Sequence, residues 1–423
     1  MKPNADSAAG PRGPRGWRNW RAWRANYPRR GPRGWRNWRL WRANYNYPSQ
    51  DAVEVACYTD AWLTGDRIEL GPYLLLNTIP GPRQPGSARL ALVLRVEDHL
   101  GPPDAPDKFW ERTDTSTHHG GWLGDELAAL VSLALGIRLA SGGIVREFST
   151  GSDPRGRPRE WSHRAPYLPE PAPDARGRVL PAAAADASLD NCTALLSRYP
   201  DLPADQAIAL VRAARAYQQA LWIAEDDPRQ AWLRLVAAVE VAADHWGVEE
   251  EPAERLKTIH PHLAELLEAK GGDHLRAVAA ELARIYGSTG KFSKFLTTFA
   301  AQPPPARPPE GYQVDWSKLK THLGAIYRYR SKDLHAGIPI PDPMCEPPHR
   351  QDDWAVPSEI SLGLGTWVGP ESASWTKADI PMLLHVFEGI VRRALTAWWQ
   401  STPAGGTLIT TRWVKPRVFT GTD

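Results

Sequence analysis

One stretch decides how the C-terminal half of this chain folds: Tyr327-Arg328-Tyr329-Arg330-Ser331-Lys332-Asp333-Leu334-His335-Ala336-Gly337. Together with the residues before it, it predicts a helix over 316–334, ended by Gly337 and Pro339. An arginine can bind a phosphate and a histidine can transfer a proton. Arg330 and His335 therefore supply the two side chains that RNA cleavage without a metal requires.

The sequence on both sides of this stretch has the pattern of a helical bundle over residues 203–400. Apolar residues recur at three- and four-residue steps, and Pro228 and Pro252 stand where a proline is tolerated in the first turn of a helix. The pattern predicts helices over 205–223, from 228 onward, and over 252–270, 273–286, 291–300, 316–334 and 378–399. A proline-rich segment of roughly 35 residues separates the last two helices.

The residues before the bundle have a different pattern. Short apolar alternations predict strands over 53–58, 67–70, 73–78, 89–96 and 144–148, and residues 123–139 predict one helix ended by Gly142-Gly143. Residues 51–150 are therefore expected to form a small α+β domain. Residues 151–202, rich in proline, alanine and arginine, are expected to be a linker, and residues 401–423 a C-terminal tail. The fold class is mainly α.

Residues 1–50 contain a tandem repeat of arginine and tryptophan. The segment from Gly13 to Tyr27 recurs from Gly31 to Tyr45 with a single change, Ala22 to Leu40. The arginines could bind phosphates and the indoles could stack on bases, which would make Arg18, Trp20, Arg36 and Trp38 nucleic-acid contacts; the repeat could also bind an anionic membrane surface. We favour the alternative, a recent duplication that is disordered in the protein.

The charge of the chain is divided unevenly. The net charge is +3, but residues 1–50 hold 11 Arg, one Lys and one Asp, a charge of +11, which leaves −8 on the remainder. An acidic body needs a local basic patch to hold RNA. The three cysteines are scattered without CxxC spacing, which argues against disulfides and a zinc site and favours a reducing cytoplasm. No apolar run approaches the roughly 20 residues of a membrane helix.

Other motifs do not define a metal or cofactor site. The segment 114–119, which ends in His118-His119, lies near Asp125 and Glu126, but adjacent histidines seldom give ligand geometry, and a solvated loop before a helix is favoured. Gly287-Ser288-Thr289-Gly290-Lys291 lacks the spacing of a phosphate-binding loop. We expect neither a metal nor a cofactor.

Spacing alone does not single out Arg330 and His335. Arginine precedes histidine at a similar distance at Arg112–His118, Arg157–His163 and Arg255–His260. Basic residues are also common in the last turn of a helix because they complement its negative end. Whether Arg330 and His335 form a functional motif must therefore be judged from the sequence of the surrounding helices.

Those surroundings resemble the HEPN domain. The sequence of residues 327–337 is similar to the Arg-x(4–6)-His motif of the Apea-like branch. Residues 231–240 resemble the family's second core helix, which ends in an acidic residue, here Glu240. Residues 388–395 resemble its last helix. Active HEPN nucleases often carry Asn, Asp or His directly after the arginine, whereas this chain has Ser331, as Apea-like members commonly do. The resemblance covers residues 203–400 and little else.

The resemblance implies a cytoplasmic, dimeric, metal-independent endoribonuclease acting in defence or stress. Arg330 would bind the phosphate, and His335 would transfer protons in an attack by the ribose 2′-hydroxyl. Glu240, Ser331 and Lys332 would support them, with Arg328 on the RNA. Five residues of helix place Arg330 and His335 about 140° apart, so a second subunit would have to complete the site. Besides RNA and a second copy, an antitoxin or effector is an implied partner. The alternative is a non-catalytic HEPN module for dimerisation or for binding a nucleotide or partner.

Overall fold

The computed structural model describes a mainly helical protein with a small antiparallel sheet. The described residues are 31–43, 51–79, 81, 87–100, 113–149, 153–160, 164–168, 177–247, 252–259, 261–362, 367–368 and 373–402. The predicted C-terminal tail lies almost entirely outside them, as do the first copy of the repeat and parts of the predicted linker. None of the helices in these ranges is both long and apolar enough to cross a membrane.

Six strands form one antiparallel sheet in the order β3-β4-β5-β1-β6-β7. The strands are β1 (Asp51–Thr59), β2 (Leu63–Thr64), β3 (Arg67–Leu70), β4 (Tyr73–Asn77), β5 (Arg89–Asp98), β6 (Ala140–Ser149), β7 (Asp153–Pro158), β8 (Ala187–Ser188), β9 (Trp367–Val368) and β10 (Ala373–Ser374). The five predicted strands are confirmed. The sequence did not predict β7, which holds two prolines at a sheet edge, where a missing backbone donor is tolerated.

The described helices are α1 (Arg33–Ala43), α2 (Leu123–Leu135), α3 (Asp190–Leu196), α4 (Ala204–Ile223), α5 (Pro228–Trp246), α6 (Pro252–Ile259), α7 (Pro261–Glu268), α8 (Gly272–Phe299), α9 (Leu319–Ala336) and α10 (Leu384–Ser401). The prediction of one helix over 252–270 is wrong: Pro261 opens α7, and a proline disfavours helical backbone in the residue before it. The helices predicted over 273–286 and 291–300 are one helix, anchored by the fully buried Phe292 and Phe295. α2 ends four residues before the predicted position, at Gly136 with φ 72°.

The sheet and most of the helices share one hydrophobic core, which extends from Trp35 to Trp399. A second, smaller cluster lies between α6, α7 and the first half of α8 and consists of Ala253, Leu256, Ala264, Leu275 and Ala279. The prediction that residues 151–202 form a linker is wrong for 177–202, because Leu189, Cys192 and Tyr199 are fully buried in the larger core. These few buried residues are separated by prolines and alanines, so the segment shows no apolar period that would predict its burial.

A buried ionic network ties this segment to both neighbours. Arg138 is completely buried after α2, and its Nη2 lies 2.9 Å from Glu225 Oε1 beyond the end of α4. Glu225 also accepts the backbone N–H of Val179 at 2.8 Å. Arg138 further pairs with the buried Asp60, which Arg178 also contacts. A buried charge is tolerated only when it is paired, so the network joins the sheet, residues 177–180 and the bundle.

The prediction that residues 1–50 are disordered is wrong for 33–43, which form α1. Trp35, Trp38 and Leu40 are each only 3% exposed. The spacing 35, 38 and 40 does not make a narrow apolar seam, but α1 is enclosed by β5, α2 and the turn at 199–202, so a wider face is covered. Residues 1–30 and 44–50 lie outside the described residues.

Candidate active site at the end of helix α9

Helix α9 presents the Arg-x4-His segment at its last two turns. Its inner side is anchored by the buried Leu319, Leu323 and Ile326. The helix ends at Gly337, whose φ of 65° is favourable only for a residue without a Cβ. Gly337 N–H donates to Asp333 O at 3.1 Å and Ile338 N–H to Lys332 O at 3.3 Å, so the helix ends with a left-handed glycine cap. The backbone up to Ala336 is therefore regular helix.

Arg330 is held by a carboxylate from α5. Its Nη2 lies 2.9 Å from Glu240 Oε2, and the hydroxyl of Tyr327 donates to Glu240 Oε1 at 2.9 Å. The Arg330 and Glu240 side chains are 23% and 19% exposed, so the pair sits at the rim of the core. The guanidinium also lies 5.6 Å from the centre of the Tyr327 ring. Glu240 was predicted to orient or neutralise Arg330, and the geometry places the two side chains in direct contact.

His335 lies on another side of the same helix. It is exposed, as are Arg328 and Lys332. These three residues stand at positions i, i+4 and i+7, a spacing that brings side chains onto one helical face. The cations that share a face with His335 within one subunit are therefore Arg328 and Lys332, both of which the sequence had assigned to RNA.

Arg330 and His335 do not converge within one subunit. In a regular helix, a five-residue separation turns side chains about 140° apart. Ser331, which follows the arginine, is half-buried and stands four residues before His335, on the same side of the helix. Beside His335, Leu334 and Ile338 are 53% and 52% exposed, which leaves apolar surface at the end of the helix. Within one subunit the regular helix therefore points Arg330 and His335 in different directions.

The N-terminal nucleic-acid candidates divide into two groups. Arg18 and Trp20 lie outside the described residues. Arg36 is partly buried in α1, and Trp38 is almost completely buried against Tyr73, with the ring centres 5.5 Å apart. The prediction that Trp38 stacks on a base is therefore wrong for this packing, because its faces are covered by protein.

Sequence reasoning missed a cavity of about 1170 Å³ between the 346–362 segment and the start of α10. Trp316 and His385 line it, and neither Trp316 Nε1 nor His385 Nδ1 has a hydrogen-bond partner among the described residues. Burial lowers the pKa of His385 to about 4, so its imidazole is neutral at pH 7. Arg392 and Arg393 also line the cavity but donate to backbone carbonyls of Ala134 and Gln302. The cavity has room for a small polar molecule. No sequence motif predicted it, because its lining residues come from separate segments of the chain.

Comparison with known proteins gives no relative for this site. No family model, no curated protein and no solved structure matches the chain. Within the described ranges, no three His, Cys, Asp or Glu side chains are grouped so that they could hold a metal ion. The functional proposal therefore depends on the residues at the end of α9.

Proposed function

We propose that this chain is a metal-independent endoribonuclease of the HEPN type that acts as a dimer. The observation that carries the proposal is that the last two turns of α9 hold both an arginine bound by Glu240 and, on a separate basic face, an exposed histidine. The likeness of residues 231–240, 327–337 and 388–395 to the HEPN pattern adds to it.

His335 would carry the proton transfers. One imidazole takes the proton of a ribose 2′-hydroxyl, the freed oxygen attacks the adjacent phosphorus, and the bond to the 5′-oxygen breaks. A second imidazole gives its proton to that leaving oxygen. The products are a 2′,3′-cyclic phosphate and a 5′-hydroxyl. Histidine suits both steps because its protonation changes near neutral pH.

The arginines and Lys332 would bind the RNA backbone. The Arg330 guanidinium offers five N–H donors, and its contact with Glu240 uses one nitrogen, so the fork retains donors for a phosphate as charge builds on it. Arg328 and Lys332 lie on the same exposed face about two turns and one turn before His335, and they would hold the phosphates on that side of it. This basic stripe gives the acidic body a local site for RNA.

In this proposal a second copy completes the site, because Arg330 and His335 point in different directions along one helix. The exposed Leu334 and Ile338 offer apolar surface that a partner subunit would cover, which would bring two His335 side chains to one cleft. Replacing Leu334 by Glu should then lower both the dimer fraction and the cleavage rate. The matched control is Leu266→Glu, since Leu266 is equally exposed, at 53%, on the distant helix α7.

The decisive experiment is cleavage of total RNA by the purified chain in EDTA. We expect 2′,3′-cyclic phosphate ends and a loss of at least 100-fold in His335→Ala, in the range of removing a general acid–base group. His274→Ala, which alters an exposed histidine on α8, should cleave like the wild type. Equal cleavage by wild type and His335→Ala would contradict the proposal.

A specific observation favours a second candidate, a non-catalytic dimerisation or binding module. Arg330 already has a carboxylate and a tyrosine beside it, as a purely structural arginine would. This candidate predicts a dimer that binds RNA or a partner without cutting it. It also predicts that Arg330→Ala lowers stability and leaves the amount of intact RNA unchanged.

A further inference from the structure

We infer that the groove holding α1 is a binding site for a Gly-Trp-x-Asn-Trp helix, and that the first copy of the repeat, residues 13–27, is its second ligand. The described residues form one such groove, and the sequence holds two segments with the residues that it contacts. The two copies would exchange in the groove, so that one Arg/Trp segment is always left outside. The inference is independent of the proposed nuclease.

The groove recognises the beginning of the helix through a buried carboxylate. Glu126 is completely buried, and its oxygens accept the backbone N–H groups of Gly34 at 3.0 Å and Trp35 at 3.1 Å. A carboxylate suits this place because the N-terminus of a helix carries partial positive charge. A Cβ on residue 34 would lie 2.6 Å from Glu126 Oε1, so the position needs glycine.

Further contacts of the groove are made with individual side chains of α1. Trp35 Nε1 donates to Leu202 O at 3.1 Å. Asn37 is fully buried, donates to Glu97 O at 2.8 Å and accepts the N–H of His99 at 2.7 Å. Trp38 lies over Gly71, where an added Cβ would stand 2.3 Å from its indole nitrogen. Each contact depends on one residue type at one position.

The first copy carries every residue that these contacts require. Gly16, Trp17, Asn19 and Trp20 correspond to Gly34, Trp35, Asn37 and Trp38. Arg24 corresponds to Arg42, which pairs with Asp201 at 2.5 Å. The one difference within the repeat is Ala22 in place of the buried Leu40.

Two effects favour the second copy. Replacing a buried leucine by alanine weakens binding by about 30-fold, the equivalent of about 2 kcal/mol. The second copy is also tethered to β1 by the seven residues 44–50, whereas the first would be tethered by the 25 residues 26–50. Closing the longer loop adds a preference of about sevenfold. Together the two effects leave under about 1% of molecules with the first copy in the groove.

Limited trypsin digestion of the full chain tests the exchange. Both copies are rich in arginine, and the copy in the groove is protected while the other is cut first. The wild type should be cut first within 13–27. In Ala22→Leu/Leu40→Ala the leucine moves to the first copy, and the first cut should move to 31–45. A first cut that stays within 13–27 in the exchanged variant would overturn the inference.

A gentler variant keeps the test valid if the exchanged chain does not fold. Ala22→Leu alone leaves the second copy intact and should raise the share of molecules with a protected first copy to about one in eight. The control is Ala25→Leu, because its counterpart Ala43 is exposed at the end of α1. Protection in both variants, or in neither, would contradict specific binding.

A thermal-melting cycle in the Ala22→Leu chain gives an independent readout. Trp17→Ala/Trp20→Ala should leave the midpoint almost unchanged, because the second copy stays bound. Trp35→Ala/Trp38→Ala should lower it modestly, because the first copy takes the groove. All four substitutions together should lower it by more than the sum of the two pairs. Strict additivity would mean that the first copy never enters the groove.

Discussion

Glu240 of α5 and Arg330 of α9 are joined across the bundle by an ion pair of 2.9 Å, with the hydroxyl of Tyr327 on the other carboxylate oxygen. The pair fixes the end of α9 against α5 and thereby sets where His335 projects. It also takes up part of the guanidinium that a phosphate would bind. One contact thus serves both stability and the proposed chemistry, and substitutions can separate the two.

Replacing Glu240 by Gln should separate them. The amide can still accept a hydrogen bond from Arg330, so we expect the free energy of unfolding to fall by about 1 kcal/mol. The released guanidinium charge should strengthen RNA binding and steepen its salt dependence. Urea unfolding and RNA affinity measured at several salt concentrations check this. If affinity falls with Glu240→Gln, Arg330 does not contact the RNA. Glu265→Gln, on the exposed side of α7, is the control.

Mixing subunits tests whether each site needs two histidines. In an equal mixture of wild type and His335→Ala after random exchange, about one quarter of the dimers hold two intact subunits. If each cleavage uses one His335 from each subunit, the rate should fall to about one quarter of that of the same total amount of wild type. A rate of one half would show that each subunit cuts by itself. Refolding the two chains together and assaying RNA ends in EDTA makes the measurement.

Much of the bundle could be predicted, because the period of its apolar residues reports burial directly. The α4 prediction, 205–223, matches Ala204–Ile223 within a residue. Glu240 could be singled out because residues 231–240 resemble the second core helix of HEPN domains, which often ends in an acidic residue. Exposure of His335 could not be predicted, since a basic residue at the end of a helix has the same pattern whether it is catalytic or structural.

The features that escaped prediction depend on partners far away in the sequence. Gly34 and Glu126 are 92 positions apart, and neither residue signals the other. Arg138 and Glu225 are 87 apart, and a lone arginine after an apolar helix suggests solvent rather than burial. Residues 177–202 read as a linker because a few buried anchors are diluted by proline and alanine. In each case tertiary contact overrides the local pattern.

The Arg138 network gives a prediction about stability. Arg138→Ala leaves the carboxylates of Asp60 and Glu225 buried beside a void, so the free energy of unfolding should fall by about 3–5 kcal/mol. Arg138→Met/Glu225→Gln removes both charges of the closest pair and fills the space. Its free energy of unfolding should therefore fall by less than that of Arg138→Ala. Urea unfolding at pH 7 compares them. An exposed arginine, Arg276, supplies the control Arg276→Ala, which should change stability by under about 0.5 kcal/mol. A loss as small as the control's would mean that water reaches the network.

The carboxyl of Glu126 predicts how stability changes with pH. Burial raises its pKa from 4.5 to about 7, although the N–H groups of Gly34 and Trp35 and the hydroxyl of Tyr199 oppose the rise. The folded chain therefore keeps a proton that the unfolded chain releases between about pH 4.5 and 7. The stability that this proton contributes is complete below pH 4.5 and is lost as the pH rises through 7. His119, whose Nε2 lies 3.6 Å from the carboxylate, has a pKa lowered by burial and so does not replace the lost proton at high pH.

Glu126→Gln should therefore change how steeply the free energy of unfolding depends on pH, and not only its value at one pH. At pH 5 the carboxyl of Glu126 and the amide that replaces it are both neutral, so the free energies of unfolding of the two proteins should be similar. From pH 5 to 8 the wild type should lose roughly 2–4 kcal/mol relative to the variant, because only the wild type must ionise a buried acid. Urea unfolding at pH 5, 6, 7 and 8 gives both curves, with Glu265→Gln as an exposed control. Parallel curves would mean that Glu126 stays ionised in the folded chain, and α1 would then be held by a full carboxylate charge across this range.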